Sequence, residues 1–460
     1  MRLQTVLIWV VVAGLLAGVV AWTRSGGVGP ARSDAPTTWT IPIDPARVER
    51  LVQGVDGRET SVTRAEADTW MIRWSDAEAR PQVWKADPGR VRAALRLLST
   101  AAIVVSDEEL DVKPTDTIEA TERDGRSVEI WFGQRAAGGQ TPVVVLVKDT
   151  DGIAQKRVDG RIGSGVPDAF VRADWSIWRD PTLFDATAAT ADALTIRTAA
   201  DGVRLERGPR GWSITEPFRL DAETGEIERA IGVLRTLQAS SFEADPPEDA
   251  VTGLDEPIAT VRLDSRTGTR TMEVGGQADS GRGLLFARVA AGETAATVRL
   301  DAQSLSGISA APAAYARRVP LNMNPGDIGR VRFLGKDGRP RLDATRSGGE
   351  WLTGSEPVAP AQRDAIDRLV RVLTAEPAAQ INISQPGAES ATVGELGTVE
   401  CLTREGVPVA SLRLRTAQGS GGMRLLIAMD LSNGAEIVWT AATEQASAVV
   451  AWAALMASGG

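Results

Sequence analysis

GWSITEPFRLDAETGEIERAIGVLRTL, residues 211–237, decides how the whole chain is read. A short strand carries Trp212, Pro217 turns the chain, and a periodic segment follows. Ile227, Ala230, Ile231, Leu234 and Leu237 fall on one face of a 3.6-residue period, the mark of an amphipathic helix. The same order of tryptophan strand, turn and helix occurs twice more. Trp70 in DTWMIRW precedes Val91, Ala94, Leu95 and Leu98; Trp351 in GEWLTGSEP precedes Ile366, Leu369, Val370 and Leu373. Asp87-Pro88 supplies an N-cap and an N1 proline to the first helix, and Pro360 does the N1 task in the third. The markers lie a domain's length apart, further than any common solenoid period.

After each helix comes a four-strand signature. It reads TIEATERDGRSVEIWFG and PVVVLVKDTDGIAQKRV in the first copy, IATVRLDSRTGTRTMEVGG and LLFARVAAGETAATVRL in the second, and TVECLTREGVPVASLRLR and MRLLIAMDLSNGAEIVW in the third. Asp124-Gly125, Asp151-Gly152 and Asn433-Gly434 supply the positive φ of tight hairpins. A leading hairpin, clearest in ALTIRTAADGVRLERGPRGWSI, precedes each helix. Burying an apolar helix side chain contributes about 1.5–3 kcal/mol at most, while ordering each backbone residue costs about 1–2 kcal/mol. Such a helix must lie on its sheet, and the marker tryptophans are expected there, a sugar-stacking platform being the alternative.

Residues Val6–Trp22, VLIWVVVAGLLAGVVAW, hold no charge. At about 1.5 Å per residue the run reaches about 26 Å, close to the roughly 30 Å hydrocarbon core of a bilayer. It reads as a retained signal anchor, or else as a secretory signal cut near Ala21. Arg24–Thr38 is rich in Gly, Ser, Ala and Pro and reads as a tether. The C-terminal run Ala446–Ala457 is too short to span and is expected to cap the last repeat.

The expected fold class is therefore α+β: three tandem repeats, each an antiparallel sheet of a leading hairpin plus a four-strand meander packed with one amphipathic helix, after an N-terminal transmembrane helix. The expected boundaries are a cytoplasmic head at 1–5, the anchor at 6–22, a flexible linker at 23–42, and repeats at 43–186, 187–321 and 322–460.

Composition narrows the chemistry. The 460 residues contain no histidine and carry a net charge of −9. Without imidazole there is no Ser-His-Asp or Cys-His catalysis, no HExxH zinc site and no zinc deaminase chemistry. An acidic chain lacks the basic stripe that nucleic acid needs. Lysine occurs only at positions 85, 113, 148, 156 and 336, so arginine carries the positive charge, a pattern read as base composition and not as function. Cys401 is the single cysteine, so no intrachain disulfide forms, and its alternating strand context marks a small buried hydrophobe.

The remaining motifs are local. GQRAAGGQ and GGQADSGRG lack the Gly-Lys-Ser/Thr of a phosphate loop and read as hairpin loops. The acids Asp107, Glu108, Glu109 and Asp111, and again Glu243, Asp245, Glu248 and Asp249, are weighed as calcium ligands against solvated charge and turn chemistry. KDTDG shows a fragment of a calcium loop without its later ligands. No acid pair is singled out by spacing for glycoside hydrolysis. The expectation is no catalytic, cofactor or metal residue and no cofactor.

The segment 211–237, followed by GLDEPIATVRLD at 253–264 and then LLFARV, resembles the DUF4340 family, as does WSIWRDPTLFD at 175–185. The resemblance is strongest in the middle copy and extends over most of 43–320. The third copy departs, since VGELGTVECL lacks Leu-Asp-x-Pro and its end lacks Arg-Asp. The resemblance implies one N-terminal span, an extracytoplasmic body and association with ABC-2 type export systems of the gliding-motility class. It supplies no catalytic residue. The expected function is a membrane-anchored, non-enzymatic accessory or scaffold protein of the inner membrane, with its body in the periplasm. Its expected partners are the membrane, through residues 6–22, and ABC-2 type transporter subunits. An envelope hydrolase using carboxylates, or a glycan- or ligand-binding module, is the alternative, and exposure of Trp131, Trp175 or Trp178 would favour the latter.

Overall fold

The computed structural model describes residues 37–458, apart from 56, 66–68, 76–80, 137–138, 172–174, 244–245, 293, 385–392, 420–421 and 442–443. The first sheet uses β1 Thr38–Thr40, β2 Val48–Val55, β3 Arg58–Arg64, β4 Trp70–Ser75 and β5 Pro81–Ala86, then helix α1 Pro88–Thr100. It continues through β6 Ala102–Val105, β7 Asp116–Glu122, β8 Ser127–Phe132, β9 Gln140–Lys148 and β10 Ala154–Gly163. Its strand order is β1-β6-β10-β9-β8-β7-β2-β3-β4-β5. Short helices α2 Gly165–Phe170 and α3 Asp185–Ala189 follow.

The second sheet uses β11 Ala191–Thr198, β12 Gly202–Gly208, β13 Gly211–Glu216, β14 Leu220–Asp221, helix α4 Thr224–Thr236, β15 Ser241–Phe242 and helix α5 Asp249–Thr252. It ends with β16 Ala259–Ser265, β17 Gly268–Asp279, β18 Leu284–Ala291 and β19 Thr294–Asp301. The third uses β20 Ile328–Leu334, β21 Pro340–Ser347, β22 Glu350–Thr353, β23 Glu356–Pro357, helix α6 Pro360–Thr374 and β24 Gln380–Ser384. Then come β25 Val393–Thr403, β26 Pro408–Gly419, β27 Gly422–Asp430, β28 Glu436–Ala441 and helix α7 Glu444–Ser458.

The order β14-β13-β12-β11-β16-β17-β18-β19-β15 in the second sheet is that of β23-β22-β21-β20-β25-β26-β27-β28-β24 in the third. The first sheet repeats it and adds β1 at one edge. Among the described residues every pairing with a defined register is antiparallel, and the first strand of each leading meander pairs with the first strand of the trailing one, as β11 does with β16. In the second and third sheets the long helix therefore carries the chain from one edge strand to the opposite edge, and in the first it carries the chain from β5 to β6, which β1 flanks.

Alternation makes the core. In β13 Trp212 and Ile214 are buried while their neighbours are not, and Ile227, Ala230, Ile231 and Leu234 of α4 are buried too. Trp70, Trp212 and Trp351 are all buried, as expected of core residues. Asp87 caps α1 by accepting the N–H groups of Gly89 and Arg90, with Pro88 at N1. Helix α7 packs on α6 and on β25 and β27, with Trp452 5.5 Å from Phe333.

The expected fold class needs correction. Among the described residues strand makes up 50% and helix 21%, so this is a mainly antiparallel β architecture in three sheets, not an α+β one. The physical reason lies at the edges. Segments beside the helices that belong to neither the expected hairpin nor the expected meander, Leu220–Asp221, Ser241–Phe242, Glu356–Pro357 and Gln380–Ser384, join the sheets as strands. Each sheet thereby reaches nine or ten strands. The expected transmembrane helix is not among the described elements either: none of their helices is long and apolar enough to cross a membrane, and residues 6–22 lie outside the described residues.

The chain divides into two compact units, one holding most of the first sheet and ending at Arg179, the other holding Asp76–Gln82 and, from Asp180 onward, the second and third sheets. In the second unit the segment Tyr315–Leu321 bonds on both sides. Glu223 N–H donates to the Tyr315 carbonyl at 2.8 Å, while Leu321 N–H donates to Leu373 at 2.8 Å and Ala378 N–H to Arg318 at 2.9 Å. The Trp439 indole N–H reaches the Arg317 carbonyl at 2.8 Å.

Candidate functional site

The acids singled out by sequence are held by arginine and backbone. Glu109 pairs with Arg157 at 2.8 Å, and Arg157 also holds Asp159 at 2.9 Å. That hydrogen bond keeps the Asp159 carboxyl below its usual range, with further help from the Leu110 N–H, against the opposing effect of burial. Asp107, Glu108 and Asp111 are exposed. Glu243 pairs with Arg299 at 2.6 Å and Asp249 with Arg288, Glu248 lends its carbonyl to α5, and Asp245 lies outside the described residues. In the Lys148–Gly152 stretch Asp149 accepts the N–H groups of Ile153 and Asp151, which makes it a turn residue. The Ile153 bond is the largest influence lowering its pKa. Among the described residues no cluster of three acids or thiols is placed to hold a metal.

The strongest constellation lies in the first unit. Glu119 of β7 stands directly opposite Glu129 of β8 in the strand register. Two like charges in such a pair repel. Lys148 resolves this: its ammonium lies 2.7 Å from Glu129 and 3.5 Å from Glu119. The Trp131 indole N–H donates to Glu129 at 2.8 Å, and the Ser127 hydroxyl bonds Glu119 at 3.2 Å. Partial burial pulls the Lys148 pKa down, but the hydrogen bond and charge of Glu129, with Glu119 behind them, outweigh it and the net shift is upward. The cluster thus holds a firmly protonated lysine between two carboxylates. Sequence reasoning passed over it because its members come from three strands, although Glu119 and Glu129 flank a plain Asp124-Gly125 hairpin whose register could be counted.

An open groove of about 640 Å3 runs along the β1 edge of the same sheet. Trp39 lies on it with the Lys156 ammonium 5.2 Å from its ring centroid, beside Glu108, Glu109 and Arg157. In the second unit a cavity of about 390 Å3 is lined by Arg317, Asn322, Asp327 and Thr374. There Arg317 bonds Asn322, whose amide reaches Asp221 at 3.0 Å.

Elsewhere the arginines form ladders on strand faces. Arg330 bonds Asp343 through two nitrogens at 2.7 and 2.6 Å, Arg332 reaches Glu400 at 3.0 Å, and Arg413 and Arg415 share Glu436. Arg204–Glu206 and Arg262–Asp264 pair along single strands. The signal was present in sequence as Arg-x-Asp/Glu spacing, which puts both side chains on one strand face.

Trp178 is buried, and Trp131 is half-buried and engaged with Glu129; the side chain of Trp175 lies outside the described residues. Cys401 is 1% exposed, and burial pushes its thiol up to about 12.

Residues 212–389 match the DUF4340 family, described as a domain of unknown function. The matched stretch begins in the second sheet at Trp212 of β13 and ends past β24 of the third. No curated protein matches the chain.

Proposed function

We propose, with a DUF4340 domain as the premise, that the chain is a non-enzymatic accessory or scaffold protein of the cell envelope. Its body stands in the periplasm, it is held at the inner membrane through residues 6–22, and it works beside an ABC-type exporter. The observation that supports the scaffold reading most is the Tyr315–Leu321 segment. It hydrogen-bonds to the second sheet's helix start on one side and to the third sheet's helix end on the other. A chain so joined presents surface at a fixed spacing, which is what an adaptor needs. Membrane attachment rests on the uncharged run in the sequence, and the exporter on family resemblance. Purification of the full chain from mild detergent tests the reading: transporter subunits are expected with it, and repeated recovery of the chain alone refutes the association.

A carboxylate hydrolase is the second reading, favoured by the facing Glu119 and Glu129. Lys148 argues against it, because its ammonium lies against both acids, where a substrate would have to reach them. Loss of a glycan- or peptide-cleaving activity in Glu129→Gln would reverse that judgement.

A further inference from the structure

The first two sheets each hand one edge to the chain that follows. In the first, the backbone N–H of Asp87, N-cap of α1, donates to the Trp178 carbonyl at 2.9 Å, and Ala86 forms a β-bridge with Arg179. In the second, the N–H of Glu223, N-cap of α4, donates to the Tyr315 carbonyl at 2.8 Å, and Ala222 bridges Ala316. The arriving aromatic is buried in both cases, Trp178 to 3% and Tyr315 to 2% exposure.

The third sheet has the same edge. Val358 N–H donates to the Trp351 carbonyl at 2.9 Å just as Ala222 N–H donates to that of Trp212 at 3.0 Å. Val358 and Ala359 are thus the counterparts of Ala222 and Glu223, and Ala359 is the N-cap of α6. Among the described residues no segment bridges Val358 or takes the Ala359 N–H. Ala359 is exposed, whereas Asp87 and Glu223 are half-buried. Sheet edges of this kind accept extended segments by backbone pairing.

We propose that the edge Glu356–Ala359 is a docking site for an extended segment of a partner protein. The segment would carry an aromatic residue with an arginine one or two positions after it. That is the chemistry of the two occupied edges, Trp178-Arg179 and Tyr315-Ala316-Arg317. The exposed carboxylates of Glu350 and Glu356 beside the edge complement the arginine. Among the described residues the two segments seen to fill such edges are engaged at their own, which makes a second copy of this chain the poorer occupant. The inference rests on the scaffold reading only in requiring a partner. Peptide binding tests the edge and co-purification tests the exporter, so the two can fail separately.

The probes are two labelled peptides with the sequences of residues 175–184 and 311–321, titrated into the full chain by fluorescence anisotropy. Ala359→Pro is the decisive variant. The Ala359 φ of −52° suits proline, and its carbonyl still accepts the Arg363 N–H at 2.9 Å, so only the outward N–H is lost. Saturable binding should weaken about tenfold in Ala359→Pro. It should also weaken in Glu356→Lys, which leaves the backbone alone, and vanish when the peptide's Trp178 or Tyr315 is replaced by Ala. Equal binding to wild type and Ala359→Pro, or no saturable binding to wild type, overturns the proposal. A wild-type dimer that dissociates in Ala359→Pro gives the edge to a second copy and overturns the assignment of a partner.

Discussion

Arg346 stands directly opposite Trp351 in its hairpin, with the guanidinium carbon 5.4 Å from the indole centroid. Arg64 faces Trp70 at 5.0 Å and Arg207 faces Trp212 at 4.9 Å in the same register. Each marker tryptophan is therefore covered by a cation from the neighbouring strand. In the third sheet the contact is reinforced, because the Trp351 indole N–H donates to Asp367 of α6 at 2.9 Å.

Trp351→Ala should accordingly cost about 3–5 kcal/mol, a full aromatic cavity. Trp351→Phe keeps most of the ring and should cost about 1–2 kcal/mol through the lost hydrogen bond and volume. Arg346→Ala removes the cation and its 3.3 Å bond to the exposed Pro325 carbonyl, and should cost about 0.5–1.5 kcal/mol. Urea unfolding gives all three values, and a different order would contradict the packing described.

The joint between the second and third sheets predicts a contrast between two prolines. Glu223→Pro removes an N–H that Tyr315 accepts inside the fold, and should destabilise by about 1–3 kcal/mol. Ala359→Pro removes an outward N–H and should leave the melting temperature of the isolated chain nearly unchanged. Calorimetry of the two variants side by side decides it.

Gly275 lies where β17 passes the end of α5, and a Cβ there would overlap the Thr252 carbonyl oxygen. Gly253, which ends α5 at a φ of 68°, closes the same contact from the other side. Gly275→Ala should destabilise by about 1–3 kcal/mol through overpacking, and Gly253→Ala by about 1–2 kcal/mol through the left-handed backbone. Thermal melts that match wild type would show that the loop yields freely.

Cys401 should resist a thiol reagent in the native chain and react at once in denaturant, with the native rate following unfolding. Its ionisation also sets a pH dependence. The folded thiol is raised from 9.0 to about 12 by burial. The stability this represents is complete below about 9, where both states are protonated, and is lost as pH climbs towards about 12. Cys401→Ala should flatten that alkaline slope; an unchanged slope would mean that the thiolate is not what is being excluded.

At the acid end Asp343 works in the opposite sense. The Arg330 hydrogen bond is the main cause holding its carboxyl below the usual range, with burial opposing. Its contribution is present above the unfolded carboxylate pKa and fades as pH falls through the lower folded value. The stability gap between wild type and Asp343→Asn should therefore shrink between about pH 5 and about pH 2. Urea midpoints measured across that range follow it.

The parts of the fold that carry a period were legible in the sequence. Ile227, Ala230, Ile231 and Leu234 face the core as their spacing requires, as do Ile366, Leu369, Val370 and Leu373. The tryptophans are buried, and Asp87-Pro88 caps its helix as its chemistry predicts. The edge strands were not legible. Leu220–Asp221 or Glu356–Pro357 is too short to show alternation, and only pairing with β13 or β22 makes it a strand. Missing them tilted the expected fold class towards helix. The Glu119–Lys148–Glu129 cluster escaped for a related reason: it exists only across a register, which a linear pattern does not display.

The helices that run from one sheet edge to the other also govern what can be cut out of this chain. Residues 212–389 begin at β13, after its partner β12, and stop before β28, the partner of β24. A polypeptide trimmed to those limits would leave β16 without β11 and β20 without β25, two severed half-sheets with raw middles. The stretch that kinship marks out is thus displaced by half a period from the stretches that can close on themselves, and excision should follow the latter.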